Sequence, residues 1–209
     1  MNNISSPVLF DANILIYSCE NNIIDEWLMY FENPMIHREV WDELKRPKVK
    51  QKIQTFINNG KIIIVDDHYF DAVMADEVSK ALFRSCEREL KARFNVEHGS
   101  DRGEFKTLLF AKFNNVCIVS TQDNPVWELY EHSIHFKDVE FLTIQDIAFL
   151  MVSNGGKEIR KVGRAVYKHV TNIRSYPLDN FIDFSYQLNE SNVLDFIPSF
   201  LQYRKTRKS

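Results

Sequence analysis

The sequence predicts an α/β domain of three layers, with helices on both sides of a mostly parallel sheet, followed by a C-terminal extension. Two observations carry this. Short runs of consecutive apolar residues recur, among them Val8-Leu9-Phe10, Ile62-Ile63-Ile64-Val65 and Val116-Cys117-Ile118-Val119. Continuous rather than alternating hydrophobicity marks strands buried on both faces, as in a parallel sheet. Between the runs lie segments whose apolar residues repeat at intervals of three and four, and strands alternating with helices imply right-handed βαβ crossovers.

Taken in order, the first strand covers residues 8–10 and ends at Asp11. Residues 14–32 carry Leu15, Ile16, Ile23, Ile24, Trp27, Leu28 and Phe31 at helical spacing, for one or two helices broken at Asn21-Asn22. Asn33-Pro34 marks a turn, because the residue before a proline is held away from helical geometry, and leads into the short strand Met35-Ile36. A helix over 39–45 stops at Arg46-Pro47. The next, over 49–58, places Ile53, Phe56 and Ile57 on one face and ends at Asn59-Gly60. Residues 61–65 are expected as a third buried strand. From 70 to 94 the pattern gives a helical hairpin or one long helix, with Val78, Ala81, Leu82, Cys86, Leu90 and Phe94 inside. A helix opens near Asp101 and closes near Asn114-Asn115, and strand 116–120 follows. Pro125 then opens a helix over 125–131, with Asp123 or Asn124 as its cap. Residues 139–142 form a last edge strand, after which Thr143 caps a helix over 144–152. Asn154-Gly155-Gly156 is the hinge between a domain at 1–152 and an extension at 153–209.

A chain of 209 residues, 44% hydrophobic and 13% aromatic, buries one sizeable core. No run approaches the roughly 20 apolar residues that span a bilayer. The amino terminus lacks the basic and apolar regions of a signal peptide, so no membrane partner is expected and the cytoplasm is the expected location. Cys19, Cys86 and Cys117 are odd in number and scattered, which argues against a disulfide framework or a zinc site and makes them buried small hydrophobes. The net charge of -3 conceals an asymmetry: residues 1–156 hold 16 Lys and Arg against 24 Asp and Glu, and residues 157–209 hold 10 against 5.

Four acids stand out. Asp11 interrupts the apolar stretch 8–17 at the carboxyl end of a strand, the edge at which open α/β sheets bind ligands. Glu43 follows the run Met35-Ile36, Glu104 opens the segment carrying Phe105, Leu108, Leu109 and Phe113, and Asp123 closes the second buried run. With Asn13 two residues after Asp11, and Thr121 two residues before Asp123, this ordered set resembles the PIN-domain nuclease family. The resemblance covers roughly residues 7–150. It implies a PIN-like fold and a metal-dependent endonuclease, with RNA favoured over single-stranded DNA. It also admits a homodimer and an inhibitory protein partner.

Carboxylates gathered from distant parts of a chain repel one another, and a hard divalent cation with oxygen ligands is the natural counter-charge, here Mg²⁺ or Mn²⁺. Asp11 is the candidate principal ligand, Glu43, Glu104 and Asp123 complete the set, and Asn13 and Thr121 orient carboxylates by hydrogen bonds. Each has a structural alternative. Asp11 or Asn13 can cap the helix that follows. Asp101 and Glu104 have capping-box spacing. Glu39 and Asp42 compete with Glu43 for the second position, and His37 and His98 fit surface or core histidines better than ligands.

Beyond the hinge, Arg160, Lys161, Arg164 and Lys168 recur at helical intervals, and the expectation is a stripe that holds phosphates. The alternative function is a PIN-like scaffold that binds nucleic acid or protein without cutting.

Overall fold

The computed structural model describes residues 6–67, 76–94, 96, 101–121, 129, 132–144, 146–148, 151, 158, 160 and 161. In chain order the elements are β1 (Val8–Phe10), α1 (Ala12–Glu20), α2 (Ile24–Leu28), β2 (Pro34–His37), α3 (Arg38–Glu43), α4 (Pro47–Asn58), β3 (Ile63–Val65), α5 (Glu77–Lys91), α6 (Arg102–Phe113), β4 (Ile118–Ser120) and β5 (Glu140–Leu142). The five strands form one sheet in the order β3-β2-β1-β4-β5, and every neighbouring pair is parallel. All five apolar runs expected as strands are strands.

Helix ends follow local chemistry. The Asp11 Oδ1 accepts from the Ile14 N–H at 2.8 Å and caps α1. The chain leaves that helix through Asn22 at φ 53, in the left-handed region that asparagine tolerates. Pro47 occupies the first turn of α4, where its missing N–H costs nothing, and Gly60 at φ 68 turns the chain away after it. Past β5, the Thr143 hydroxyl accepts from the Asp146 N–H while the Asp146 carboxylate accepts from the Thr143 N–H, a reciprocal cap.

Alternation along each strand divides the interior into two cores, an arrangement consistent with three α/β/α layers. Val8, Phe10, Ile36 and Leu142 face one side, beneath α1, α2 and α4. Phe10 meets Trp27 with ring centroids 4.5 Å apart and Phe31 at 5.2 Å. Leu9, Val119 and Phe141 face the other side, beneath Cys86 and Leu90 of α5 and Phe105, Leu108 and Leu109 of α6.

Three expectations are corrected. Residues 63–65 form an edge strand, not a strand buried on both faces, and Ile63 is 46% exposed. The crossovers carry β3 to the outside of the sheet, which an apolar run cannot reveal. In α5 the inward face is Phe83, Cys86 and Leu90, while Val78 is 80% exposed and Leu82 lies outside. The bulky Phe83, packed on Phe113 at 5.4 Å, sets the helix's rotation. Cys117 is exposed, whereas Cys19 and Cys86 are buried and burial pushes each thiol up to about 11. The expected helix at 125–131 has only residue 129 described, and the hinge and nearly all of the extension lie outside the described residues. No helix among the described residues is long and apolar enough to cross a membrane.

Trp27 is fully buried between Phe10 and Phe31. Trp27→Ala is expected to lower the unfolding free energy by about 3–5 kcal/mol, measured by urea denaturation.

Candidate active site at the carboxyl edge of the sheet

The strand order reverses direction between β1 and β4. From β1 the chain steps outward to β2 and β3, then crosses back to place β4 on the other side of β1. The connections on either side of β1 and β4 therefore leave in opposite directions, which opens a crevice at the strands' carboxyl ends. Asp11 is the residue that follows β1, and Thr121 the residue that follows β4. Phe10 pairs in register with Ser120, and the Asp11 N–H donates to the Ser120 carbonyl at 3.0 Å, so the two residues leave the sheet side by side. Both are 1% exposed.

A second pair forms at the start of α6. This helix feeds β4, so it runs against the strand direction and begins at the same carboxyl edge. Helix α3 packs along it, and the Glu43 Oε1 accepts from the Gly103 N–H at 2.7 Å. A Cβ on residue 103 would come within 2.5 Å of the Glu43 Oε2, so the close approach requires glycine. Glu104, the next residue, is buried in the first turn of α6. Negative charge is favoured at a helix amino terminus, where unpaired N–H groups point outward. The capping-box explanation of Glu104 is weakened, because the Asp101 side chain makes no capping hydrogen bond. Of the rivals to Glu43, Asp42 is exposed and Glu39 pairs with Arg102 at 2.9 Å.

Asp11 with Thr121, and Glu43 with Glu104, are thus the two pairs that the fold assembles. Asn13 is exposed in the first turn of α1. Asp123 lies outside the described residues, as do Arg164 and Lys168. Among the described residues no group of three or more His, Cys, Asp or Glu side chains could hold a metal ion. Arg160 and Lys161 are exposed, and the Lys161 ammonium pairs with Glu158 at 2.9 Å. Burial pushes the Tyr30 hydroxyl up to about 12, and the charge of Arg160 offsets part of that rise.

Sequence reasoning missed a polar cluster on the same edge. His37, the last residue of β2, is buried and caps α3 by accepting from the Glu39 N–H at Nδ1, 3.2 Å away. That bond leaves the proton on Nε2, which faces the Asp67 Oδ1 at 3.3 Å, while the Lys106 ammonium donates to the Asp67 Oδ2. The three residues are far apart in sequence and belong to no motif. The one available signal was His37, a polar residue directly following a buried run.

Compared with protein-family models, with curated proteins and with solved structures, the chain gives no match.

Burial holds the His37 imidazole below its ordinary value of 6.5, against the opposing pull of Asp67, with Lys106 lowering it further and Glu39 raising it. The unfolded chain therefore binds the proton first. The stability due to neutral His37 is fully present above pH 6.5 and is lost as pH falls from there toward the depressed folded value. His37→Asn keeps a capping acceptor and removes the titration. Between about pH 7 and 5.5 the wild type is expected to lose stability more steeply than this variant, read from urea midpoints.

Proposed function

We infer that this protein is a PIN-like, divalent-metal-dependent endonuclease acting on single-stranded nucleic acid, with RNA favoured. The observation that carries the reading is the position of Asp11 at the switch point beside Thr121, with Glu43 bound to the Gly103 amide and Glu104 next to it in the first turn of α6, which begins at the same edge. These groups, set along one edge of the sheet, are all oxygen donors, which fits a hard cation such as Mg²⁺ or Mn²⁺. Each of two carboxylates is also oriented by a backbone amide, Asp11 by Ile14 and Glu43 by Gly103. Such supporting bonds are usual for metal-binding carboxylates.

Asp11, Glu43, Glu104 and Asp123 would hold a divalent cation, which when bound would supply activation of the attacking water and compensation of charge on the departing oxygen. Asp11, at the centre of the edge, presents a carboxylate fixed by its cap. Glu43 presents one whose direction is set by the Gly103 amide. Thr121 stands where it can orient a neighbouring acid, and Asp123 completes the proposed set of four.

A second reading has its own support. The Asp11 and Glu43 carboxylates each already satisfy a helix N–H. A scaffold that binds nucleic acid or protein without cutting would need no more of them.

Two variants separate the readings. Asp11→Asn retains a capping side chain, and is expected to leave the fold intact while nearly abolishing Mg²⁺- or Mn²⁺-dependent cleavage of single-stranded RNA. Equal cleavage by variant and wild type would overturn the assignment of Asp11. Gly103→Ala is expected to change stability by no more than about 1 kcal/mol, since alanine favours a helix and the Glu43 carboxylate can swing aside. Cleavage should nevertheless fall about tenfold or more as Glu43 leaves the Gly103 amide. Unimpaired cleavage would remove Glu43 from the site.

A further inference from the structure

We propose that the basic segment at the start of α4, where Lys45 and Lys48 are exposed and Lys50 is half-buried against Trp41, holds the phosphate backbone of a single-stranded nucleic acid and leads it past Trp41 toward Glu43. The inference rests on the nuclease reading for the identity of the strand, and on charge and geometry for the surface.

No acid occurs between Glu43 and Asp66, whereas residues 45–52 contain five Lys or Arg. Those five bases are set in a region, 1–156, that otherwise holds 11 Lys and Arg against 24 Asp and Glu. Two of the five have carboxylate partners, Arg46 with Glu20 and Lys52 with Asp25. Among the described residues no carboxylate is paired with Lys45, Lys48 or Lys50. The Lys50 ammonium instead lies 4.7 Å above the half-buried Trp41 ring.

This placement works against the helix that carries it. Lys48 and Lys50 fall in the first turns of α4, which has no acid in its first turn, and its N-cap, Arg46, makes no side-chain capping bond. Cations at that end oppose the helix dipole, and an uncapped start forgoes about 1 kcal/mol. A local rule broken without structural gain is expected where a ligand supplies the compensation. A polyanion supplies it here by neutralising the lysines.

The occupant follows from what surrounds the charges. Val49, Ile53 and Phe56 of α4 are buried in the core, so the helix has no apolar stripe to insert into a lipid surface. Trp41 beside Lys50 combines an aromatic face with a cation, the pairing on which unstacked bases and their backbone settle. The surface also begins two residues after Glu43, so a strand lying on it runs directly to the proposed cleavage edge. In the expected stripe, Lys161 is instead paired with Glu158.

The test measures binding of a fluorescent single-stranded oligouridylate to the full chain in EDTA at several salt concentrations, with cleavage assayed separately in Mn²⁺. The triple variant Lys45→Ala, Lys48→Ala, Lys50→Ala is expected to stay folded by circular dichroism. It should bind about tenfold more weakly, with a log-log salt slope reduced by about 2. The triple replacement by Arg should restore both values. An unchanged affinity and slope overturns the proposal, as does a wild type that does not bind RNA. Equally tight binding of polyglutamate overturns the choice of nucleic acid. A wild type that binds through these lysines but never cleaves upholds the surface and overturns the nuclease reading. Cleavage with the triple variant binding normally does the reverse.

Discussion

The parallel pairing of β1 with β4 is the constraint on which the rest of the molecule depends. It joins residues more than a hundred positions apart in register, Val8 with Ile118 through Phe10 with Ser120. Because β1 already has β2 on its other side, this pairing buries it at the centre of the sheet and forces the chain to reverse direction there. Val8 and Phe10 are then committed to one core and Leu9 to the other. A slip of one residue would turn Phe10 away from Trp27 and Phe31 and exchange the two sets. Asp11 owes its position to the same register, which makes the site and the core consequences of one contact.

The site edge shows how far a single carboxylate can serve two ends. Asp11 closes a strand and caps a helix, and Glu43 ends one helix and satisfies the first turn of another. Such bonds hold side chains in place before any ligand arrives, a rigidity that binding and catalysis both exploit. The cluster of His37, Asp67 and Lys106 does similar work, tying the end of β2 and α6 to the segment after β3 through the shared Asp67 carboxylate.

Much of this was readable from residues alone, and the exceptions have physical causes. Five apolar runs located the strands, and proline, glycine and asparagine marked the helix ends, because those signals are local. The acids at 11, 43 and 104 were legible because each interrupts or adjoins an apolar stretch. The Asp67 and Lys106 partnership was not, since the two are 39 positions apart and only the fold brings them to His37. Likewise, no run of isoleucines states that β3 is an edge, and periodicity without weight for side-chain size put Leu82 where Phe83 belongs. The basic run at 45–52 was visible in the letters, but its significance depended on α4 starting beside Glu43.

The brevity of the strands has a consequence for depth. A strand of three residues is about 10 Å long, whereas α4 and α6, at 12 residues each, extend about 18 Å. Each of these helices is therefore longer than the strands it covers. Asp11 and Thr121 follow their strands yet see almost no solvent, so a ligand that meets them must reach below the molecular surface.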